Sequence, residues 1–136
     1  MAGIESLDQL LASLKPELSE KEYVFTTSSN TSLEAVYQLA PIATFQEEEG
    51  LTLILEKHTA DKNDFTYEGC FKKISLKVHS SLAAVGLTAA ISQKLTEENI
   101  SANVIAAYYH DHVFVPKNKA EQALAALISL SDTHQL

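Results

Sequence analysis

Three adjacent residues carry side chains that commonly bind metals, namely His110, Asp111 and His112. Residues two positions apart on a strand share one face, so the two imidazoles could hold Zn²⁺ with a third ligand such as His79. The same three residues also fall where a hairpin turn is expected, and Asp111 would then bond to its own backbone. We favour the turn, and the sequence predicts neither a bound metal nor another cofactor.

The other reactive residues do not form a known catalytic motif. Cys70 is the single cysteine and lies beside Gly69 and Phe71 at the start of an expected strand, so we interpret it as a small packing residue and not as a nucleophile. The run Glu47-Glu48-Glu49 would alternate between the faces of a strand, which favours a solvated edge over a cation site. The sequence has no nucleophile elbow, phosphate loop or helical His-Glu motif. It therefore predicts that the protein is not an enzyme, although a Ser-His-Asp set built from distant positions stays open.

Composition limits the partners. The chain has 136 residues, of which 46% are hydrophobic and 21% charged, as is typical of a soluble globular domain. Its net charge of -8 disfavours nucleic acid and anionic membranes. No apolar run approaches the roughly 20 residues that cross a bilayer, and Met1 to Leu11 lacks a basic region ahead of its apolar positions. Because one cysteine cannot form an internal disulfide, we expect a cytoplasmic protein.

The first half of the chain is predicted to contain one helix followed by short strands. The opening helix ends before Pro16 and carries apolar residues at helical spacing: Ile4, Leu7, Leu10, Leu11 and Leu14. A strand is expected from Glu22 to Ser28. Between Leu33 and Glu56 the apolar residues come in short bursts, which favours strands joined by tight turns over helices. Residues 58–64 are expected to form a loop or one helical turn between the halves.

The second half is predicted to begin with a strand and a helix. Phe71 to His79 alternates as a half-buried strand does, and its buried face consists of Ile74, Leu76 and Val78. In the helix that follows, Ser81 is placed to cap the start. The buried stripe of this helix consists of Ala84, Leu87, Ile91 and Leu95.

The chain is then predicted to continue with a hairpin and a last helix. The hairpin joins the strands Ala102 to Tyr109 and Val113 to Val115. Asn118 and Glu121 resemble a capping box for the helix, which is expected to end near Ser131.

The order strand, helix, strand, strand, helix is the ferredoxin-like α+β order without its final strand. We expect the N-terminal strands of the same chain to fill that place, because an uncovered sheet edge invites pairing. Neither face of the strand from Ala102 to Tyr109 carries the polar residues that water requires, so we also expect sheet-on-sheet contact or a homodimer. Residues 1–64 and 65–136 are the expected halves.

The residues from Ile74 to Tyr109 resemble an ACT domain. The resemblance rests on a strand that ends in Val78-His79-Ser80-Ser81, on Gly86 near the helix start, and on Leu95, Ile100 and Asn103-Val104 leading into the next strand. The run from Tyr108 to Pro116, with Glu48 to Leu53 upstream, is similar to small stand-alone proteins of two ACT-like units. The resemblance thus covers nearly the whole chain and implies a ferredoxin-like (ACT) βαββαβ-type fold with two ACT-like halves that share antiparallel sheet packing.

The resemblance also implies a function. ACT domains are regulatory and bind amino acids or similar metabolites beside the first strand-to-helix loop or at an interface. Carried onto this sequence, the ligand-binding residues are Ser80, Ser81, Leu82, Gly86, Asn103 and Val104. The unpaired N–H groups of a first helical turn would attract a ligand carboxylate. The sequence departs from the commonest ACT pattern, which places Asp and Pro before the helix glycine, where this chain has Ser80, Ser81 and Leu82.

An alternative function is a protein-interaction module without a small ligand. In that hypothesis an exposed sheet face docks onto another protein. Its anchors would be Tyr108, Tyr109 and Phe114, because aromatic residues are enriched at such contacts.

Overall fold

The computed structural model describes residues 6–135 and contains five α-helices and six strands within them. Ile4, the first residue of the predicted opening helix, lies outside the described residues. The helices are α1 (Leu7–Ala12), α2 (Leu33–Leu39), α3 (Lys57–Lys62), α4 (Leu87–Glu97) and α5 (Ala120–Asp132). The strands are β1 (Pro16–Ser28), β2 (Ala43–Gln46), β3 (Leu51–Glu56), β4 (Phe71–Leu76), β5 (Asn103–Ala106) and β6 (Asp111–Pro116). They form one sheet in the order β2-β3-β1-β4-β6-β5, which confirms the predicted α+β ferredoxin-like class.

The chain divides into two compact units. The larger unit has described residues 6–20 and 72–135, and the smaller unit consists of residues 21–71. Strand β1 contributes its first residues, Pro16 to Glu20, to the larger unit and the rest to the smaller. The expected division at residue 64 was placed on the sequence order alone, and it stays a prediction.

The larger unit packs three helices around an apolar core. Helix α4 places Leu87, Ile91 and Leu95 at the spacing of one helical face, and all three are buried. The fully buried residues of this core also include Leu10, Leu14, Ile74, Leu76, Val113, Val115, Ala123 and Leu127. The helical face predicted for Leu87, Ile91 and Leu95 is confirmed. The strand predicted at Phe71 is present, but its burial does not alternate, because Ser75 is buried between Ile74 and Leu76.

The segment before β1 and its first residues fill the strand position that the second half lacks. In the sheet order β1 is the neighbour of β4. Backbone N–H of Lys73 donates to Ser19 Oγ at 3.1 Å, and that of Lys77 donates to the Lys15 carbonyl at 3.4 Å. The prediction that an N-terminal strand of the same chain takes this place is confirmed.

The smaller unit is an antiparallel three-stranded arrangement with two short helices. Strand β3 pairs with β1 from Tyr23↔Glu56 to Ser28↔Leu51, and with β2 from Ala43↔Ile54 to Gln46↔Leu51. The prediction of strands alone between Leu33 and Glu56 is wrong, because Leu33–Leu39 forms α2. Ser32 Oγ accepts a hydrogen bond from the Ala35 N–H at 3.2 Å and caps this helix. The core of this unit is small and consists of Val24, Val36, Leu53, Leu55 and Ala60.

Three local predictions in the larger unit are wrong. Helix α4 begins at Leu87, because Ser81 Oγ accepts from the Ala83 N–H in a separate turn and Gly86 is the N-cap residue. The hairpin turn spans residues 107–110, closed by the Ala107 N–H donating to the His110 carbonyl at 3.1 Å, so Asp111 already belongs to β6. Helix α5 begins at Ala120 with no side-chain cap, because a 3₁₀ turn takes up residues 117–119.

No helix within residues 6–135 has the length and apolar character to cross a bilayer.

Candidate functional site

A small hollow lies in the larger unit, where the loop after β4 approaches the start of α4. Its volume is about 60 Å³. Since roughly 10–15 Å³ of such volume holds one water, the hollow has room for about four to six water-sized groups, as many as the non-hydrogen atoms of the smallest amino acids. Its walls are formed by Ser80, Ser81, Leu82, Ala84, Leu87, Thr88, Ala106 and Asp111.

The Asp111 carboxyl is the ionisable group of this wall. It is only 6% exposed, and the Ser80 hydroxyl donates to its Oδ2 at a long 3.4 Å. Burial raises the pKa of Asp111 above its ordinary value, against the opposing effects of the Ser80 hydrogen bond and of His110. A buried carboxylate held by one long hydrogen bond is complementary to a cationic group of a guest.

The first turn of α4 forms another part of the wall. Leu87 and Thr88 line the hollow, and the first backbone hydrogen bond of the helix runs from the Ala90 N–H to the Gly86 carbonyl. The N–H groups that precede it have no partner within the helix, and they give this end a partial positive charge. The hollow therefore has a donor-rich end and an acid on its wall.

Gly86 allows the chain to enter α4 at this point. Its φ of 98° lies in the left-handed region, which residues with a side chain adopt at a cost. A Cβ at this position would also lie 3.1 Å from Leu7 Cδ2 of α1. Glycine is therefore favoured by the backbone conformation, and a side chain here would also need Leu7 to move by a few tenths of an ångström.

The structure brings together part of the predicted site. Ser80, Ser81 and Leu82 line the hollow, and Gly86 precedes the helix turn that borders it. Asn103 and Val104 lie at the far end of β5 from Ala106, the β5 residue that lines the hollow. Asn103 Nδ2 instead donates to the Phe114 carbonyl at 3.4 Å.

The sequence prediction omits Asp111 from the site, because it places this residue in a turn. The signal for it is the alternation of Asp111, Val113 and Val115, which places the three on one face of a strand, and all three are buried. Register along β6 would have predicted an inward carboxylate.

His112, the residue after Asp111, contacts Ser75 and does not line the hollow. His112 Nδ1 lies 2.8 Å from Ser75 Oγ. Burial lowers the pKa of His112, and the charges of Lys73, His110 and Lys77 lower it further. Within residues 6–135 no group of three or more His, Cys, Asp or Glu side chains is arranged to hold a metal ion.

The hairpin turn itself carries two exposed aromatic rings. Tyr108 and Tyr109 are 62% and 64% exposed, with ring centroids 4.9 Å apart in an edge-to-face arrangement, and His79 lies 5.6 Å from Tyr109. Phe114 is only 1% exposed, so the expectation that it anchors an interaction surface is wrong. Its position on β6 turns the ring into the protein.

Comparison with known proteins identifies the family. Two protein-family models, each described as an ACT domain, match residues 2–72 and residues 68–129. The chain therefore belongs to the ACT-domain family, with two such domains in tandem, and the resemblance inferred from the sequence is confirmed. No functionally curated protein matches the chain.

Solved structures agree with this assignment. A protein of unknown function from Vibrio cholerae, described as a possible transport protein, is 52% identical, with a TM-score of 0.84 over 96% of this chain and 99% of that one. The ligand-free regulatory subunit of aspartate kinase from Thermus thermophilus is 14% identical, with a TM-score of 0.64 over 87% of this chain and 97% of that one. An Agobacterium tumefaciens protein is 15% identical, with a TM-score of 0.67 over 85% of this chain and 87% of that one. The two distant likenesses show the fold alone, and the family suggests a regulatory role with a small ligand.

Proposed function

We propose that this chain is a non-catalytic regulatory protein that binds a free amino acid, or a similar small ammonium-bearing metabolite, in the hollow at Ser80 and Asp111. One observation carries the proposal. The buried carboxylate of Asp111 lines a hollow that is also bordered by the first turn of α4. An acid and a helix N-terminus at one small hollow suit a guest that carries both charges.

The groups of the hollow match those of an amino acid. Its ammonium would pair with Asp111, which offsets the desolvation that raises the pKa of this carboxyl. Its carboxylate would accept hydrogen bonds from the N–H groups of the first α4 turn, with Ser80 and Ser81 adding hydroxyls. Charge-assisted hydrogen bonds contribute roughly 1.5–3 kcal/mol each, enough for a small molecule to bind at metabolite concentrations.

Regulation would follow from a change in assembly. A ligand shifts an equilibrium only by its difference in affinity for the two states. We propose a cytoplasmic homodimer whose subunit arrangement depends on occupancy of the hollow, since the exposed rings of Tyr108 and Tyr109 lie next to the strand that ends at Ala106.

A thermal-shift screen of the twenty amino acids at millimolar concentration tests the proposal. A ligand that binds the native state at 100 times its Kd stabilises it by about 2.7 kcal/mol, so at least one amino acid should raise the melting temperature. Asp111→Asn should weaken that ligand by roughly tenfold to a hundredfold, the loss of one charged hydrogen bond. Asp132→Asn, at the exposed end of α5, is the matched control and should bind normally.

Two results would contradict the proposal. One is a screen in which no amino acid shifts the transition of the wild-type protein. The other is an Asp111→Asn variant that binds the same amino acid with wild-type affinity, since the ammonium would then have no need of this carboxylate.

The exposed rings of Tyr108 and Tyr109, with the partly buried ring of His79 beside them, favour the interaction module as a second candidate. In that case a Tyr108→Ser, Tyr109→Ser double variant would lose self-association or a protein partner, and Asp111→Asn would retain it. Sedimentation velocity of both variants, with and without amino acid, separates the two functions. In an amino-acid sensor, Asp111→Asn should lose the response of the assembly to amino acid, whereas in an interaction module it should assemble as the wild type does.

A further inference from the structure

The smaller unit contains a cleft of about 600 Å³ between α2 and α3. This volume lies within the roughly 300–1,000 Å³ typical of small-molecule pockets. Helix α2 supplies Ala35, Gln38 and Leu39, and α3 supplies His58, Thr59 and Lys62. The cleft lies within residues 21–71, so it is separate from the hollow at Ser80 and Asp111.

The cleft stays open because the helices that border it are short and their facing residues small. Helix α2 has 7 residues and is followed by the C-cap residue Ala40, whose φ of 48° is left-handed, and α3 has 6 residues. Ala35 and Thr59 are too short to fill the space from either side. Asn63 is fixed at the end of α3 by its Nδ2 donating to the Thr59 carbonyl at 2.8 Å. The cleft is therefore a consequence of short helices and small side chains.

The charge of the cleft is opposite to that of the chain. The whole sequence has 18 acidic and 10 basic residues, yet neither Asp nor Glu lines the cleft, while Lys62 and His58 do. Lys57 on the same helix is paired with Asp61 at 2.7 Å, whereas Lys62 makes no ion pair within 4 Å among the described residues. An ammonium without a carboxylate partner beside a cavity favours an anion.

The rest of the lining adds donors and an apolar wall. Gln38, Thr59 and Asn63 offer amide and hydroxyl groups, which orient a ligand, and Leu39 and Phe65 offer apolar surface. Inorganic phosphate would use the first set and leave the second without a contact. The lining thus suits a molecule with one charged end and one apolar end.

We propose that this cleft binds a small organic anion, a carboxylate attached to an aromatic or branched apolar body. The carboxylate lies at Lys62, with Gln38 or Asn63 as a further donor, and the apolar body packs against Leu39 and Phe65. This site acts independently of the hollow in the larger unit, and its failure would leave the proposed function of that hollow untouched.

Titration of the full-length protein with phenylacetate, followed by two-dimensional NMR, tests the proposal. We expect saturable shifts in residues 31–40 and 58–65. Phenylacetamide, the neutral molecule of the same shape, should bind at least about tenfold more weakly, because it lacks the charge that Lys62 recognises. Inorganic phosphate should also bind at least about tenfold more weakly, because it lacks the apolar body.

Two variants complete the test. Lys62→Gln should weaken phenylacetate about tenfold or more, whereas Lys94→Gln, likewise in the last turn of a helix but on α4, should bind as the wild type does. Ala35→Leu places three more carbon atoms in the cleft beside Leu39, and should weaken phenylacetate binding without altering the circular dichroism spectrum. Absence of saturable shifts at 10 mM, equal binding of phenylacetamide or phosphate, or undiminished binding in Lys62→Gln would each overturn the proposal.

Discussion

Both units of this chain contain the order strand, helix, strand, strand, helix, to which the larger unit adds α1 and the first residues of β1, yet they are packed very differently. In the larger unit α4 and α5 have 11 and 13 residues and bury Ile91, Leu95, Ala123 and Leu127 in a core that α1 joins. In the smaller unit α2 and α3 have 7 and 6 residues, and each has one buried residue, Val36 and Ala60. Helix length decides how many turns of an apolar stripe can pack.

The two candidate sites also differ in size and charge. The hollow in the larger unit has a volume of about 60 Å³ and a buried acid in its wall, and the cleft in the smaller unit has a volume of about 600 Å³ and a lysine at its edge. The larger unit also has a wider opening of about 430 Å³ beside Asn99 and Pro116, so tighter helix packing alone does not set the space that is left. A repeated element order therefore does not imply a repeated site. The repeat fixes where the strands and helices lie, and side-chain size fixes what remains between them.

The largest expected effect comes from removing a leucine in each unit. Leu127→Ala deletes a fully buried side chain of the larger core and should lower the free energy of unfolding by about 3 kcal/mol. Leu39→Ala, which removes a partly buried side chain from the wall of the cleft, should cost less than about 1 kcal/mol. Urea denaturation followed by circular dichroism measures both. Equal losses would show that the two units are packed alike.

The sequence predicted the elements whose side chains repeat over several turns or several alternations. Ile74, Leu76 and Val78 were predicted to face the core and all three are buried, although Ser75 is buried as well. Leu87, Ile91 and Leu95 recur at helical spacing, and they form the core face of α4. These patterns and the ACT resemblance were sufficient to predict the α+β class, because an element that buries one face carries apolar residues at the spacing of that element.

The sequence did not predict features that depend on where an element begins. Helix α2 is too short to show a helical period, and its start depends on the cap at Ser32. The sequence places Asp111 in a turn, but the turn begins at residue 107, three residues before His110. The cleft could not be predicted either, since it follows from the lengths of two helices that are adjacent only in the folded chain.

A second comparison separates backbone strain from crowding by using one glycine from each unit. Gly86→Ala combines a left-handed φ of 98° with a Cβ 3.1 Å from Leu7 Cδ2, and should cost about 2 kcal/mol. Gly69→Ala has a left-handed φ of 71° but no atom within 4 Å of its Cβ, and should cost about 1 kcal/mol. Thermal unfolding of both variants gives the difference.

A double variant tests whether Leu7 crowds a side chain at position 86. Leu7→Ala removes the contact with the added Cβ, so the cost of Gly86→Ala should be smaller in that background than in the wild type. If the two costs are the same, α1 does not press on the entry to α4, and strain alone accounts for Gly86.

The smallest expected effect concerns a half-buried imidazole of the larger unit. The pKa of His112 is lowered in the folded protein, so the unfolded chain binds more protons between that value and the ordinary value near 6.5. The stabilisation from keeping His112 neutral is therefore present above pH 6.5 and is lost as the pH falls through the folded pKa.

His112→Asn should remove this acid sensitivity while its amide keeps a hydrogen-bonding group near Ser75 Oγ. At neutral pH the variant should differ from the wild type by about 1 kcal/mol, the scale of one hydrogen bond. Melting temperatures between pH 5 and pH 8 should then fall less steeply on the acid side, and His58→Asn, on the exposed face of α3, provides the control from the smaller unit. If the melting temperature of the variant depends on pH as steeply as that of the wild type, burial of His112 does not couple folding to pH. Acid sensitivity would then not distinguish the larger unit from the smaller one.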